Sequence, residues 1–469
     1  MTPREQPARL EIKTIQPIAL DQRHGTPKDL FTVWFGSNLM LLTIVTGGLA
    51  TTVFKLPFAW SVVGLLVGNL VGAVFMALHA AQGPTLGVPQ MVQTRGQFGS
   101  TGSLLVVGIV IVMYIGFLAS NLVEGGEAIA SVAHGVSEVP GIAFVGLISV
   151  VAAIFGYDLI HAYARATSYV AGAALLLAFV WIIAVHGLPS DFATRNQYGV
   201  PGFLGTISVA ALWQIAYAPY VSDYSRYLPP DTGVRSAFWA SYWGCALGSL
   251  LPMILGALVG LIEPDRSIVR GLAILTTGIA PLVLIVFSIG VATANAMNLY
   301  CAVLSTLTFG QTLLPRWSPG AQARTVVTLL LFALSLGAAL LGKDSFIANY
   351  TNFILLLLYV LVPWTAINLV DYYLLRHGHY DVDAFFRHDG GIYGRVNIVA
   401  VCCYLLGILV QLPFIDNKLY QGSIAKALGG ADLSWIVGLL ITAPAYYWLA
   451  RRARATDRAR AGVFDRQRA

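Results

Sequence analysis

The chain of 469 residues is too apolar to be a water-soluble globular protein. Hydrophobic residues make up 57% of it, charged residues 11%, and the mean hydropathy is +0.73, whereas soluble domains carry about 25% charged residues. The net charge of +6 does not indicate nucleic-acid binding, because the charges gather at the chain ends and in short loops, as membrane topology requires. Lipid is therefore the expected solvent.

The amino-terminal segment and the apolar stretches after it can be assigned from composition. Residues 1–29 are polar and lack the apolar core of a signal peptide, which predicts a retained cytoplasmic tail. Stretches of about 20 apolar residues, long enough to cross a bilayer, then recur along the chain. Twelve spans are predicted, at residues 30–52, 57–80, 103–131, 140–156, 166–187, 202–221, 237–262, 276–308, 324–342, 348–371, 396–413 and 431–450.

The basic residues predict how the spans are oriented. About three-quarters of the 28 Lys and Arg residues fall in segments that face the cytoplasm if both termini lie inside, as expected of a multi-pass protein of the inner (plasma) membrane. Spans 1 and 6, and spans 3 and 8, are offset by similar distances, which favours two five-span units of opposite orientation.

The predicted fold class is an all-α polytopic membrane protein with 12 transmembrane helices, a five-plus-five inverted repeat and two carboxy-terminal helices. Its predicted segments are a tail at 1–29, a first repeat at 30–187, a second at 202–371, a cytoplasmic loop at 372–395, helices 11 and 12 at 396–450 and a basic cytoplasmic tail at 451–469.

Spans 1 and 2 carry small and polar residues at membrane depth, where polar groups are costly unless they face a cavity or a partner. In span 1, the sequence WFGSNLMLLTIVTGG places Gly36 and Asn38 ahead of threonines and two further glycines. This is typical of an interrupted helix, whose freed carbonyls can bind a cation, and equally of close helix packing. In span 2, Gly64, Gly68 and Gly72 recur every four residues, which indicates a packing seam.

Span 3 contains MYIGFLASNLVEGGEAI. Phe117 and Asn121 lie one turn apart on one face, so an aromatic ring and an amide can meet one flat ligand. Glu124 follows one turn later, at membrane depth. Burial favours the protonated form of a carboxyl group, which makes Glu124 a candidate for proton coupling. A hydrogen bond to a neighbouring helix is the alternative role.

Span 6 contains LWQIAYAPYVSDYSRYLP. Trp213 and Gln214 precede Pro219, which has no amide donor and so indicates a second discontinuous helix. Asp223 and Arg226 lie three residues apart near the cytoplasmic end, a spacing that favours a structural ion pair.

Span 8 contains SIGVATANAMNLYCAVLST, with Asn295 and Asn298 less than one turn apart. An amide offers both donors and an acceptor, the complement of an amide-like ligand edge. Thr293, in the same stretch, offers a hard oxygen suited to an alkali cation. These residues are therefore candidates for binding a ligand and a cation.

Four strings in these segments resemble the nucleobase–cation symporter-1 family, in particular its bacterial purine–cytosine permease branch. They are PKDLFTVWFGSNLMLLTIVTG, LHAAQGPTLGVPQMVQTRGQFG, APYVSDYSRYLP and PWTAINLVDYYLLRHGHYDV, and the similarity extends from about residue 27 to 386. The resemblance implies the inverted-repeat fold of the leucine-transporter type, with spans 1 and 6 broken at mid-membrane. It also implies cation-coupled uptake of a flat heterocycle by alternating access.

The resemblance further implies roles for individual residues. Aromatic side chains of spans 3 and 6 sandwich the ring in such transporters, which points to Phe117 and to Trp213 or Gln214. Amides of spans 3 and 8 bond the edge of the ring, which points to Asn121 and Asn298.

A sodium site in the family is formed by carbonyls of span 1 and hydroxyls of span 8. The residues implied here are Gly36, Asn38, Leu39, Ile289 and Thr293. This chain has Ala292 where relatives have a second hydroxyl. Coupling to Na+ or to H+, the latter through Glu124, therefore stays open, and no other metal or cofactor is expected.

Other protein classes fit the sequence less well. A channel would need rings of like charge or repeated pore loops, which are absent. A polytopic enzyme would need catalytic groups near an interface, and the run from His377 to Asp383 is more typical of a solvated cap. The four cysteines lie in apolar stretches without CxxC spacing, which indicates buried hydrophobic residues.

The sequence thus predicts a monomeric transporter whose partners are a small heterocycle, a coupling cation and the lipid bilayer. Cytosine, a purine, allantoin, a hydantoin or a vitamin-precursor pyrimidine would each present a similar flat, amide-rich edge.

Overall fold

The computed structural model describes residues 15–133, 135–155 and 157–468, without the side chains of residues 152, 155, 157–165, 167 and 455–468. The first 14 residues of the predicted amino-terminal tail therefore lie outside the described residues, as do residue 156 of predicted span 4 and the side chains of most of the basic carboxy-terminal tail. The described residues form helices and turns, with one isolated β-bridge between Asp416 and Gln421. The predicted all-α class is confirmed.

Ten helices make up the first half of the chain, with the residues that form each given in chain order. They are α1 (Pro27–Ser37), α2 (Leu41–Thr52), α3 (Phe58–Ala80), α4 (Gly83–Leu86), α5 (Gln90–Phe98), α6 (Leu104–Val132), α7 (Glu138–Phe155), α8 (Tyr157–Trp181), α9 (Val200–Ile215) and α10 (Val221–Ser225). A π-helical turn at Ile182–His186 extends α8.

Eight further α-helices follow in the described part of the chain. They are α11 (Val234–Ile262), α12 (Ile268–Leu275), α13 (Ala280–Leu313), α14 (Ala321–Gly342), α15 (Phe346–Leu369), α16 (Ile398–Leu409), α17 (Ser423–Ala427) and α18 (Ser434–Arg468). Helix α18 continues well beyond the predicted span at 431–450.

Within the described residues, six helical segments are long and apolar enough to cross a membrane. A seventh results if α1 and α2, which meet at an angle of 60°, form one broken span. Shorter apolar helices lie at Glu138–Val151, Val200–Ile215 and Ile398–Phe414. The chain is therefore a multi-pass membrane protein with at least six apolar spans.

The helical path is interrupted after α1 and again after α9. Between α1 and α2 the backbone becomes extended at Met40 (φ −145°, ψ 167°). Between α9 and α10, tight turns join Tyr217 N–H to the Gln214 carbonyl and Tyr220 N–H to the Tyr217 carbonyl, at 3.1 Å each. Pro219 has no amide hydrogen to continue the helix there. The predicted span 202–221 thus covers α9 and this turn, and the short helix α10 begins where that span ends.

Glycines bring neighbouring helices to backbone contact. An ideal Cβ added at Gly68 or Gly72 of α3 would lie 2.4 Å from the carbonyl oxygen of Ile207 or Ala211 in α9, and one at Gly64 would lie 3.0 Å from a Thr206 methyl. These contacts confirm the predicted packing seam. Helices α2 and α11 pack in the same manner. Small residues therefore set the distance between the helices in both pairs.

A buried carboxylate ties the segment after α15 to the last helix. Asp371 is 0% exposed and accepts hydrogen bonds from Arg376 Nε at 2.8 Å and Arg454 Nη2 at 2.6 Å. The hydroxyls of Tyr380 and Tyr446 donate to it at 2.5 and 3.0 Å. Burial, together with the Asp371 charge, raises the pKa of Tyr380 well above its usual range. Four donors on one carboxylate anchor α18 against the bundle.

The close contact of α2 with α11 yields a stability prediction. A Cβ at Gly256 would lie 1.7 Å from the Ile44 carbonyl oxygen, whereas a Cβ at Gly337 of α14 would meet nothing within 4 Å. Overpacking of this kind costs about 1–3 kcal/mol. We expect Gly256→Ala to lower the melting temperature of the detergent-purified protein and the matched Gly337→Ala to leave it unchanged. Equal melting temperatures for the two variants would contradict this packing.

Candidate functional site

A cavity lies where the two broken spans meet α6 and α13. It holds about 350 Å³ of empty space. Its lining residues are Ser37, Met40, Phe117, Asn121, Trp213, Ala216, Tyr217, Tyr220, Ala294, Met297 and Asn298. All of them are buried, so this central cavity lies inside the bundle.

Asn121 contributes to the wall of the central cavity an amide group without hydrogen-bond partners. Its side chain is 0% exposed, and neither the amide nitrogen nor the amide oxygen has a hydrogen-bond partner within the described part of the chain. A buried polar group without a partner costs about 1–3 kcal/mol. A ligand that accepts from the nitrogen and donates to the oxygen would recover this free energy. Asn298 lines the same cavity, so two of the predicted amides share it.

Aromatic rings form the other walls of the central cavity. The Phe117 and Trp213 rings lie in an edge-to-face arrangement, with centroids 6.2 Å apart and ring planes at 87°. Tyr217 stands at 81° to Trp213 and at 84° to Tyr220. Because the Phe117 and Trp213 rings are perpendicular, a flat ligand in this conformation stacks on one ring and meets the edge of the other.

Asn38 holds two of these rings in place from the break between α1 and α2. Its amide oxygen accepts hydrogen bonds from Trp213 Nε1 at 2.7 Å, from the Tyr217 hydroxyl at 3.0 Å and from the Ser249 hydroxyl at 2.9 Å. Its amide nitrogen donates to the Trp34 carbonyl at 2.7 Å. The Asn38 side chain is therefore occupied by the protein itself, and the predicted cation ligand at this residue is its backbone.

Two predicted ligand-binding residues lie outside the cavity lining. Gln214 is 0% exposed and points away, donating to Asn69 Oδ1 at 2.7 Å and to the Ser249 hydroxyl at 3.1 Å. Asn295 is also 0% exposed, and its amide atoms have no partner within the described residues. Residues lining the cavity that sequence reasoning did not select are Ser37, Met40, Ala216, Tyr217, Tyr220, Ala294 and Met297. The sequence could have indicated Tyr217 and Tyr220 through their positions on either side of Pro219, because a break turns its neighbouring side chains inward.

The predicted cation-binding residues come together where the first break touches α13. A Cβ at Gly290 would lie 2.2 Å from the Leu39 carbonyl oxygen, so the freed end of α1 rests against α13 beside Ile289. The Thr293 hydroxyl donates to the Ile289 carbonyl at 3.1 Å, and the Gly36 carbonyl accepts from Leu39 N–H at 3.2 Å. Two of the predicted backbone ligands, the Gly36 and Ile289 carbonyls, thus already accept hydrogen bonds within the chain.

Glu124 lies in a second cavity, farther along α6. This cavity, called the vestibule below, encloses about 820 Å³ of empty space. It is lined by Val45, Val123, Glu124, Glu127, Glu138, Ser267, Ile268, Lys343, Asp344, Ser345, Phe346, Ile347 and Ala348. The predicted proton-coupling group and the predicted cargo site are therefore adjacent but separate.

The run of histidine and aspartate residues after α15 lacks the features of a binding or catalytic site. His377, His379, Asp381 and Asp383 are exposed, as expected of a solvated cap. The described residues hold no group of three or more His, Cys, Asp or Glu side chains that could bind a metal ion.

Comparison with known proteins gives consistent results along nearly the whole chain. A family model described as permease for cytosine/purines, uracil, thiamine and allantoin matches residues 17–438. Putative purine-cytosine permease YxlA of Bacillus subtilis is 40% identical over 448 residues, which cover 94% of this chain and 96% of that protein. Purine-cytosine permease fcyB of Emericella nidulans is 22% identical, covering 92% and 86% of the two chains.

Among solved structures, the fold is similar to that of Mhp1, a nucleobase-cation-symport-1 family transporter, in a closed conformation with bromovinylhydantoin bound. The TM-score is 0.76 at 17% identity, covering 94% of this chain and 96% of that one. The inward-facing conformation of Mhp1 gives a TM-score of 0.70 at 18% identity, covering 95% and 96%. At such identities the likeness establishes the fold alone.

The hydrogen bonds of Asn38 predict a loss of stability on truncation. Asn38→Ala leaves three buried donors without their acceptor, and each orphaned group costs about 1–3 kcal/mol. We expect a clear drop in melting temperature in detergent, whereas the matched Asn349→Ala, at an exposed residue, should behave like the wild type. A wild-type melting temperature for Asn38→Ala would mean that these hydrogen bonds do not stabilise the breaks.

Proposed function

The chain belongs to the family of permeases for cytosine and purines, uracil, thiamine and allantoin, and on this basis we propose that it imports a nucleobase or a related planar heterocycle by cation symport. The protein is a membrane transporter and not an enzyme. The observation that carries the proposed cargo is the Asn121 amide, which is buried, unpartnered and aimed into an aromatic-lined cavity.

The central cavity complements a small planar ring with a polar edge. Phe117, Trp213 and Tyr217 supply aromatic surface for stacking and edge contacts. The amides of Asn121 and Asn298 supply donors and acceptors for a ring edge that carries both. No charged side chain lines this cavity, which favours a neutral cargo.

Several candidate cargoes share this chemistry. The name of the Bacillus relative refers to purines and cytosine, Mhp1 was solved with a hydantoin, and a yeast vitamin B6 transporter is 27% identical over 265 residues. We infer a ring of the cytosine or purine class, because the relative with the higher identity over the full chain carries that name. Allantoin, a hydantoin or a vitamin-precursor pyrimidine is the alternative to be screened alongside it.

Transport through this fold requires alternating access around the central cavity. The proposed architecture has twelve membrane helices, with α1 to α8 and α9 to α15 as inverted five-span repeats and both termini cytoplasmic, in a monomer of the plasma membrane. Each proposed repeat begins with a broken span, α1–α2 and α9–α10. These breaks supply the hinges by which one repeat rocks against the other. The two conformations known for Mhp1 illustrate such a change in the same fold.

Na+ has a candidate site where α1 ends against α13. The Leu39 carbonyl and the Thr293 hydroxyl are hard oxygens of the type that alkali cations bind. The site is incomplete by comparison with the family, because Ala292 replaces a second hydroxyl and the Ile289 carbonyl already accepts from Thr293. These residues fit a sodium ion only in part, which directs attention to a proton.

The amide of Asn298 predicts the outcome of a transport assay. Asn298→Ala removes a hydrogen-bonding partner for the ring edge, a loss of about 1–3 kcal/mol or roughly ten- to hundred-fold in affinity. We expect high-affinity uptake of the preferred heterocycle to be lost in cells or proteoliposomes while membrane expression stays normal. The exposed Asn349→Ala serves as the matched control. Normal uptake by Asn298→Ala would remove α13 from the cargo site.

A ligand screen tests the proposed cargo class directly. Heterocycles of the cytosine, purine, hydantoin, allantoin and vitamin-precursor classes should be compared for their ability to raise the melting temperature of the purified protein. We expect stabilisation by one class, because a ligand that binds only the folded state stabilises it by mass action. The same ligand should have little effect on Asn121→Ala. A protein that responds to no planar heterocycle would contradict the proposal.

A further inference from the structure

The vestibule differs from the central cavity in being lined by carboxylates. Three of them, Glu124, Glu127 and Glu138, come from α6 and α7. Lys343 and Asp344 face them from the turn before α15. In the predicted orientation this end of the bundle faces the outside of the cell, where a coupling cation enters.

All but one of these carboxylates have a charged or hydroxyl partner. Glu127 pairs with Arg270 Nε at 3.2 Å and also accepts a hydrogen bond from the Ser267 hydroxyl. Arg270 Nη2 pairs with Glu138 at 3.2 Å as well. Asp344 pairs with Lys343 at 2.6 Å. Arg270 thus bridges α6 and α7 at the mouth of the vestibule and gives both glutamates a charged partner.

Glu124 is the exception. Its side chain is 1% exposed, and its Oε2 has no hydrogen-bond partner within the described residues. An ionised carboxylate buried without a partner costs many kcal/mol, so such a group is neutral or holds a cation. The geometry alone therefore separates Glu124 from Glu127, although the two lie only one turn apart.

The position of Glu124 links the vestibule to the cargo site. It follows Asn121 by three residues on α6, so the two side chains lie on the same face of the helix. Val45 of α2 and Phe346 of α15 line the vestibule beside Glu124, and the hydroxyls of Tyr350 and Thr46 join these two helices by a hydrogen bond of 2.7 Å. The vestibule therefore borders α2, which begins directly after Met40 of the central cavity.

We propose that the vestibule is the entry site for a coupling proton and that Glu124 is the residue that carries it. The inference rests on the proposed symport and names its cation. When the vestibule opens to water, Glu124 exchanges its proton with the outside. When the bundle closes around the cargo, burial without a partner requires the carboxyl to be neutral, so a proton is carried inward for each cargo molecule. Opening to the cytoplasm lets water ionise Glu124 again and releases that proton.

The test separates driven accumulation from simple exchange in proteoliposomes. Glu124→Gln keeps the size and polarity of the side chain but cannot take up or release a proton. We expect this variant to lose accumulation driven by an inward proton gradient while still exchanging labelled for unlabelled heterocycle across the membrane. The matched Glu263→Gln changes a carboxylate that is paired with Arg266 and does not line the vestibule, and it should keep proton-driven accumulation. Wild-type accumulation should follow the proton gradient and not a Na+ gradient.

Two results would overturn the inference. Proton-driven accumulation by Glu124→Gln would show that another group carries the proton. Wild-type accumulation that follows the Na+ gradient and ignores the proton gradient would assign coupling to the site between α1 and α13. The proposed function fails in a different way, namely if the wild-type protein neither accumulates nor exchanges any planar heterocycle.

Discussion

The architecture around the central cavity depends on one amide at the first helix break. Interrupting a helix inside a membrane leaves backbone and side-chain polar groups that lipid cannot satisfy. Asn38 meets that requirement twice, by donating to the Trp34 carbonyl and by accepting from Trp213, Tyr217 and Ser249. A single side chain therefore joins the break in α1–α2 to the break in α9–α10 and to α11. It also sets the positions of two aromatic walls of the cavity.

Hydrogen-bond satisfaction distinguishes structural polar residues from binding residues in this protein. Gln214 and Asn121 are both amides at membrane depth and both 0% exposed. Gln214 donates to neighbouring side chains, whereas Asn121 has no partner and borders the cavity. The same comparison separates Glu124 from Glu127. A buried polar group without a partner is costly, and a ligand or a proton can complete it where the group also borders a cavity, as Asn121 and Glu124 do.

The fold class, the interrupted first span and the glycine packing seam of α3 could be predicted from the sequence, because these features follow from local composition and spacing. It also placed Phe117, Asn121, Trp213 and Asn298, all of which line one cavity. The direction in which the Gln214 side chain points could not be predicted, since it depends on how α9 ends before Pro219. The short buried helices α4 and α5 were not predicted either. Their polar residues are typical of a loop, and only tertiary packing buries them.

The central claim is that a planar heterocycle binds between the two helix breaks, in contact with Asn121. A cryo-electron-microscopy structure of the protein saturated with its preferred heterocycle tests this most directly. Ligand density is expected in the central cavity, with ring-edge atoms within hydrogen-bonding distance of the Asn121 and Asn298 amides and Asn38 still bonded to Trp213. Density confined to the vestibule, or a ligand that leaves the Asn121 amide without a partner, would contradict it.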